Sequence, residues 1–360
     1  MITGLTIRGF KGFENLHIPR LTRTTLVGGK NNAGKSSLLE AIFLFFDRMN
    51  PQMLTNQFAR RGVSILPIEP EAMWAPIFHD LEMKGGTISI SVEQEKAIET
   101  MSITFNPNYE PPIVEARKTV QGAQFPQIRT DQTSVPSYAL DISYKKNGGM
   151  KATSHLLAGA EGIGLRIDKM LPKGLPKATF IASRVVGNPN EDAVRYGQLD
   201  IVGKQNEVLK FLQIIEPNLR SLSSVTIGNM SMVHGDIGLK RKVPVSYMGE
   251  GLARLLTIIL AIANARGGLV LIDEFENGLH YSVMQRIWEG VARAARDFDC
   301  QVIATTHSYE CLEAAYTGLR GDLQNDFTYL RLDRRENQTT AKVFDSEMLK
   351  VAIDSNMEVR

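Results

Sequence analysis

A chain of 360 residues has room for two to three domains at about 150 residues each. Its 43% apolar, 22% charged and 7% aromatic residues exclude a disordered, collagen-like or disulfide-scaffolded polypeptide. The 41 Lys and Arg nearly cancel the 39 Asp and Glu, so the formal charge of +2 argues against a general basic coat for a polyanion. No apolar run approaches the ~18 residues of a membrane helix, and the opening MITGLTIRGFKGF lacks the apolar centre of a signal peptide. Cys300 and Cys311 match no metal spacing and need no disulfide. These features lead us to expect a soluble, cytoplasmic protein that does not engage a membrane.

In chain order, residues 2–7 and 13–18 read as strands around a turn at 9–12, followed by a strand at 24–27. Glycines and asparagines interrupt at 28–34, and residues 35–48 then carry the apolar face of a helix. Alternating runs at 87–92, 98–105 and 138–144 predict further strands, while residues 106–136, with five prolines and no period, read as a long loop or insertion. A strand is expected at 179–183, and residues 191–215 look helical with interruptions near Gly197 and Gly203. The last third alternates: a β-ribbon at 230–245, helix 251–265, buried strand 269–272, helix 281–296, strand 301–305, helix 309–316 and short strands to 344. A buried strand, a crossover helix and another buried strand indicate a parallel sheet, so the fold class is α/β.

Residues 29–36 read GKNNAGKS, a full match to G-x4-G-K-[ST] between a strand and a helix. In that context backbone N–H groups at the helix N-terminus bind phosphate oxygens, Lys35 reaches the β- and γ-phosphates, and Ser36 ligates Mg²⁺. The apolar run 269–272 leads into Asp273-Glu274, where Asp273 would hold the ion and Glu274 would orient or deprotonate the attacking water. The next β-rich run delivers Thr306, His307 and Ser308, and a His there can hydrogen-bond the γ-phosphate. The segment SYMGEG at 246–251 opens an apolar helix, and its glycines permit close backbone approach to a phosphate.

Phosphate loop, remote Ser-Gly-Gly element, Asp-Glu strand and His, in this order, resemble the ATP-binding-cassette (ABC) ATPases. Within that class, DEFENGLHYS at 273–282 and ATTHSYE at 304–310 are similar to the OLD (overcoming lysogenization defect) family and its relatives. The opening ITGLTIRGFKGFENLHI is similar to the first hairpin of OLD, RecF and SMC heads. The resemblance implies a P-loop NTPase built as a single ABC-type ATPase domain over 1–360. An N-terminal antiparallel β lobe would carry Walker A (1–185), a helical insertion would follow (186–229), and the signature and Walker B would lie on a largely parallel sheet flanked by helices (230–360). Carried over to this chain, Walker A covers Gly29, Asn31, Asn32, Ala33, Gly34, Lys35, Ser36 and Ser37. Asp273 and Glu274 are Walker B with its catalytic acid, residues 276–280 the D-loop, and His307 the switch histidine. Ser246, Gly249 and Gly251 fit the signature, which departs from LSGGQ because Ser246 stands one place further from the glycines.

ATP and Mg²⁺ are thus the implied cofactors, and a head-to-tail homodimer closing around ATP the implied assembly. Asp273 follows Lys35 by 238 positions, which leaves no room for an SMC-type arm, and the 53 residues after His307 are too few for a Toprim nuclease. We therefore expect an ATPase without nuclease activity that controls a separately encoded effector in a bacterial defence or toxin-like system. The alternative is a RecF/SMC-like DNA-binding ATPase of repair or replication. Basic pairs and triplets at Arg60-Arg61, Lys145-Lys146 and Lys240-Arg241-Lys242 keep nucleic acid open as a partner.

Overall fold

Two sheets of opposite character organise the chain. The computed structural model describes residues 1–48, 50, 70–95, 97–110, 137–159, 162–169, 176–183, 188–336 and 338–355. The first sheet is antiparallel throughout, in the spatial order β2 (Phe13–Ile18), β1 (Gly4–Phe10), β4 (Thr87–Gln94), β5 (Ala97–Tyr109), β6 (Ser137–Lys146), β7 (Met150–Gly159) and β8 (Gly162–Lys169). One face is buried and the other polar, which the period-two pattern of β4 records: Ile88, Ile90 and Val92 point inward while Ser89 and Ser91 point out.

The second sheet runs β16 (Gln338–Phe344), β15 (Phe327–Arg335), β3 (Thr24–Gly28), β14 (Gln301–Thr305), β13 (Leu269–Ile272) and β9 (Ala178–Ile181). Every neighbouring pair is parallel except β15 with β16. Strands β3, β13 and β14 are buried at every residue, as a sheet covered on both faces requires. Leu269 and Leu271 face a core shared with the antiparallel sheet, whereas Val270 and Ile272 face the helical layer. Helix α1 (Lys35–Phe46) lies in the first of these cores, and its residues 38–45 are all buried. Lys11 of the β1–β2 turn pairs with the buried Glu40 of α1 at 2.5 Å, tying hairpin to helix. The short α2 (Pro70–Trp74) adds Met73 and Trp74 to the same core.

On the other face pack α3 (Pro189–Ile201), α4 (Gln205–Leu212), α5 (Glu250–Ala263), α6 (Tyr281–Asp297), α7 (Tyr309–Gly318), the short α8 (Asp322–Asn325) and α9 (Ser346–Asp354). A small antiparallel ribbon of β10 (Ser221–Ile227), β11 (Met230–Asp236) and β12 (Val243–Pro244) leans on α3. The α/β class is as expected, and three details differ. Helix α3 runs through Gly197, a single glycine costing a helix only about 1 kcal/mol, and ends before Gly203, whose φ of 71° no helix continues. The segment 186–229 is not helical throughout, because Ser221–Ile227 pairs with β11. Asn106 to Tyr109 extend β5 past the expected strand end, and residues 111–136 of the expected insertion lie outside the described residues, as does Arg60-Arg61.

Helix α3 is docked on α5 by a buried polar contact. Thr257 Oγ1 donates to Asp192 Oδ2 at 2.7 Å, and Arg195 stands 3.6 Å from the other oxygen. Burial raises the Asp192 carboxyl from its ordinary 3.8 to about 6, against the pull of Thr257 and Arg195. The folded chain therefore favours protonated Asp192, and that stability is present below about pH 4 and lost as pH rises through about 6. Relative to Asp192→Asn, the wild type should lose up to about 3 kcal/mol across this window. Urea midpoints of both proteins between pH 4 and 7.5 should converge at the acid end and separate toward neutrality.

Candidate nucleotide-binding site

The loop leaving β3 adopts a conformation that its glycines dictate. Gly29 has φ 135°, Asn32 64° and Gly34 98°, and asparagine is among the few side chains that tolerate the left-handed region. A Cβ on Gly29 would fall 2.4 Å from the Leu332 carbonyl oxygen, and one on Gly34 would fall 2.7 Å from the Phe13 ring. Asn31 and Asn32 are exposed, Ala33 is buried beneath them, and Ser37 is half-buried on the first turn of α1. No side chain caps that turn and no acid lies in it, so its N–H groups and positive end are free for an anion. Lys35 folds back over the loop, its Nζ donating to the carbonyls of Gly29 at 2.6 Å and Lys30 at 3.1 Å.

Three strand ends converge beneath this loop. Ser36 Oγ donates to the Asp273 carboxylate, 3.0 Å from each oxygen. From β14, Thr305 Oγ1 donates to Asp273 Oδ1 at 2.7 Å and accepts the Glu274 N–H at 2.9 Å. One buried hydroxyl thus orients both members of the acid pair. Burial pushes the Asp273 carboxyl upward, the Thr305 and Ser36 hydroxyls draw it back, and the charges of Glu274 and Glu40 raise it again. Burial likewise lowers the Lys35 ammonium, opposed by Glu276, Asp273 and Glu274. Glu274 holds a left-handed φ of 50°, and its Oε2 accepts from Asn277 Nδ2 at 2.7 Å.

The second half of the acid pair's support was not anticipated. Arg254, buried on the second turn of α5, directs Nη2 at the carbonyls of Asp273 (2.8 Å) and Glu274 (2.7 Å) and Nη1 at that of Ala182 (3.4 Å). Burial lowers its guanidinium and the surrounding Glu276, Asp273, Glu274 and Glu250 oppose that. An arginine amid LARLLTIILAIA is the one local signal for such an anchor, since a buried cation demands partners. At the head of the same helix, Ser246 and Gly249 are exposed, and a Cβ on Gly249, at φ 117°, would meet nothing within 4 Å. Gly251 instead packs against Gly278, whose carbonyl oxygen would lie 2.4 Å from an added Cβ.

Residues 276–280 divide into two parts. Glu276 turns inward, where its Oε1 accepts the His307 backbone N–H at 2.9 Å and lies 2.9 Å from His307 Nδ1. Gly278 and His280 are exposed beside Gly251 and Tyr281. The structure therefore joins Lys35, Ser36, Asp273, Glu274 and His307 through contacts or shared neighbours, while Ser246 and Gly249 open onto solvent. Thr305→Val, which keeps the shape but removes the bridging hydroxyl, should cost about 1–3 kcal/mol in a urea melt, because it leaves a buried carboxylate and an N–H each short of a partner.

An "ATP/GTP phosphatase" of Helicobacter pylori (strain ATCC 700392 / 26695) is 26% identical to this chain over 336 residues, 87% of each protein. The "Uncharacterized protein MJECL10" of Methanocaldococcus jannaschii is 44% identical over 45 residues, 12% of this chain and 20% of its own length. Among solved structures, an SMC head bound to the C-terminal winged-helix domain of ScpA superposes with a TM-score of 0.51 over 98% of this chain and 99% of its own, at 13% identity, so the two share a fold. A family profile spans residues 25–313, from the start of β3 past the His307 strand end, and the chain therefore belongs to the P-loop ATPase family described as "AAA domain, putative AbiEii toxin, Type IV TA system".

Proposed function

We propose that this protein is an ATP-hydrolysing switch of ABC type that dimerises head to tail around nucleotide. The observation that carries the reading is the junction of Ser36, Asp273 and Thr305 under a loop with open N–H donors. The name of the Helicobacter pylori relative supports nucleotide hydrolysis as the chemistry. A serine hydroxyl meeting a carboxylate 3.0 Å away is a hard-oxygen pair that fits Mg²⁺, and Ser36 and Asp273 would hold the ion. When bound, Mg²⁺ would neutralise charge on the β- and γ-phosphates. Lys35 would exchange its two loop carbonyls for phosphate oxygens, and residues 29–37 would wrap the phosphates with backbone N–H groups. Glu274 would accept a proton from the attacking water, its carboxylate meanwhile steadied by Asn277.

The open face of Ser246 and Gly249 supports assembly. An exposed helix N-terminus without a side-chain cap suits the nucleotide of a second copy, the sites facing each other across Gly278 and His280. Such a dimer forms with ATP and relaxes on hydrolysis, so the output is a change in shape. The resemblance to OLD-like ATPases and the toxin wording of the family description support a separate effector in a cytoplasmic anti-phage or toxin-like system. A RecF/SMC-like role on DNA is the second reading, favoured by the exposed Lys240-Arg241-Lys242 turn between β11 and β12.

Lys35→Ala should weaken ATP binding severely, whereas Glu274→Gln should bind ATP with turnover reduced at least a hundredfold. Isotherms and phosphate release measure these, and equal turnover by wild type and Glu274→Gln would remove Glu274 from the mechanism. With Mg²⁺-ATP, Glu274→Gln should sediment as a dimer, and Gly249→Asp should restore the monomer by placing a charge beside phosphate. Crosslinks between positions 36 and 249 that form only within one chain would refute the head-to-tail arrangement.

A further inference from the structure

We propose that Asn277 is a positioning residue that aims the carboxylate of Glu274, a role resting on the reading above that Glu274 takes a proton from the attacking water. Asn277 grips the acid at both ends. Its backbone N–H donates to the Glu274 carbonyl at 3.2 Å, closing a turn, and its side-chain Nδ2 comes back to donate to Glu274 Oε2 at 2.7 Å. The same Nδ2 donates to the carbonyl of Ser183 at 3.2 Å, just past the end of β9. A carboxylate and a carbonyl only accept, so the amide must turn its nitrogen toward both, and both its hydrogens are engaged. The carboxylate is thereby tied to the strand beside its own, since β9 and β13 are parallel neighbours with Ile181 opposite Ile272. The backbone of Glu274 is fixed separately. Its N–H donates to Thr305 Oγ1 and its carbonyl accepts from Arg254 Nη2, around a φ of 50° that a glutamate holds only where its surroundings impose it. A fixed backbone still leaves the acid free to turn about its side-chain torsions. Among the described residues, the Asn277 amide is the hydrogen-bond donor that stops that rotation. It takes Oε2, which leaves Oε1 to accept the proton of the water.

The test combines side-chain amide spectra with turnover. In nucleotide-free protein with ¹⁵N-labelled asparagine, the Asn277 side-chain amide signals, assigned by their loss in Asn277→Ala, should move in Glu274→Ala. Signals left in place by that substitution would overturn the proposal. Asn277→Ala should reduce kcat about tenfold or more with the KM for ATP within about twofold, because the phosphate loop is untouched. Asn277→Asp keeps the shape but, as a carboxylate, has no hydrogen to donate, so it should lose at least as much. Wild-type turnover by Asn277→Asp would overturn the proposal, and so would faster turnover by Asn277→Ala, which would make the contact a restraint on the acid. In single-turnover hydrolysis, the double variant Asn277→Ala, Glu274→Gln should be no slower than Glu274→Gln, and losses that multiply would overturn the proposal. Equal turnover by wild type and Glu274→Gln would count against Glu274 as the base, whereas the amide spectra test the hold of Asn277 on the carboxylate whatever that result.

Discussion

The hydroxyl of Thr305 holds the two acids of the site in register, and most of the architecture serves to put it there. It bridges the Asp273 carboxylate and the Glu274 N–H at the point where β13 and β14 end side by side, and Ser36 reaches the same carboxylate from the helix after β3. Such a meeting needs three adjacent parallel strands ending at one level, and parallel strands need crossover helices that bury them on both faces. Hence the unbroken burial of β3, β13 and β14, and hence two cores, one for each face.

Burial at this junction has an electrostatic consequence. Carboxylates are held where water is scarce, which raises the cost of their charge, and the structure answers with hydroxyls on Asp273, an amide on Glu274 and a guanidinium on the backbone carbonyls of both. Lys35 is likewise desolvated and paired with loop carbonyls rather than with an acid. A cation held by neutral acceptors is easier to draw toward phosphate than one locked in an ion pair.

How much of this was legible in the sequence depends on how local each signal is. The loop at 29–36 and the acids at 273–274 were readable because spacing, a flanking strand and a following helix all lie within a few residues. The parallel strands were readable from apolar runs too short for helices. Arg254 was not, since its partners lie 19 and 20 residues further on and only the folded chain brings α5 against the end of β13. The inward turn of Glu276 was hidden for the same reason: residues 276–280 look alike as text, and only packing against His307 separates the first from the rest. Strand β7 escaped because the alternation in MKATSHLLAG is weakened by its small residues.

Helix α5 is mechanically a rod, 14 residues or about 21 Å long, with fixtures along its length. Near its head Arg254 grips the carbonyls of the acid pair, Gly251 rests on Gly278 and Gly249 is open to solvent. One turn further on, Thr257 is pinned to Asp192 of α3, which also carries the β10–β11 ribbon through the bond from Ser231 N–H to Asn190. Ribbon and α3 together display Val194, Ile201, Ile227 and Met230. Through Thr257 and Arg254, one turn apart on one helix, the α3 surface and the backbone of Glu274 are held to the same rigid element.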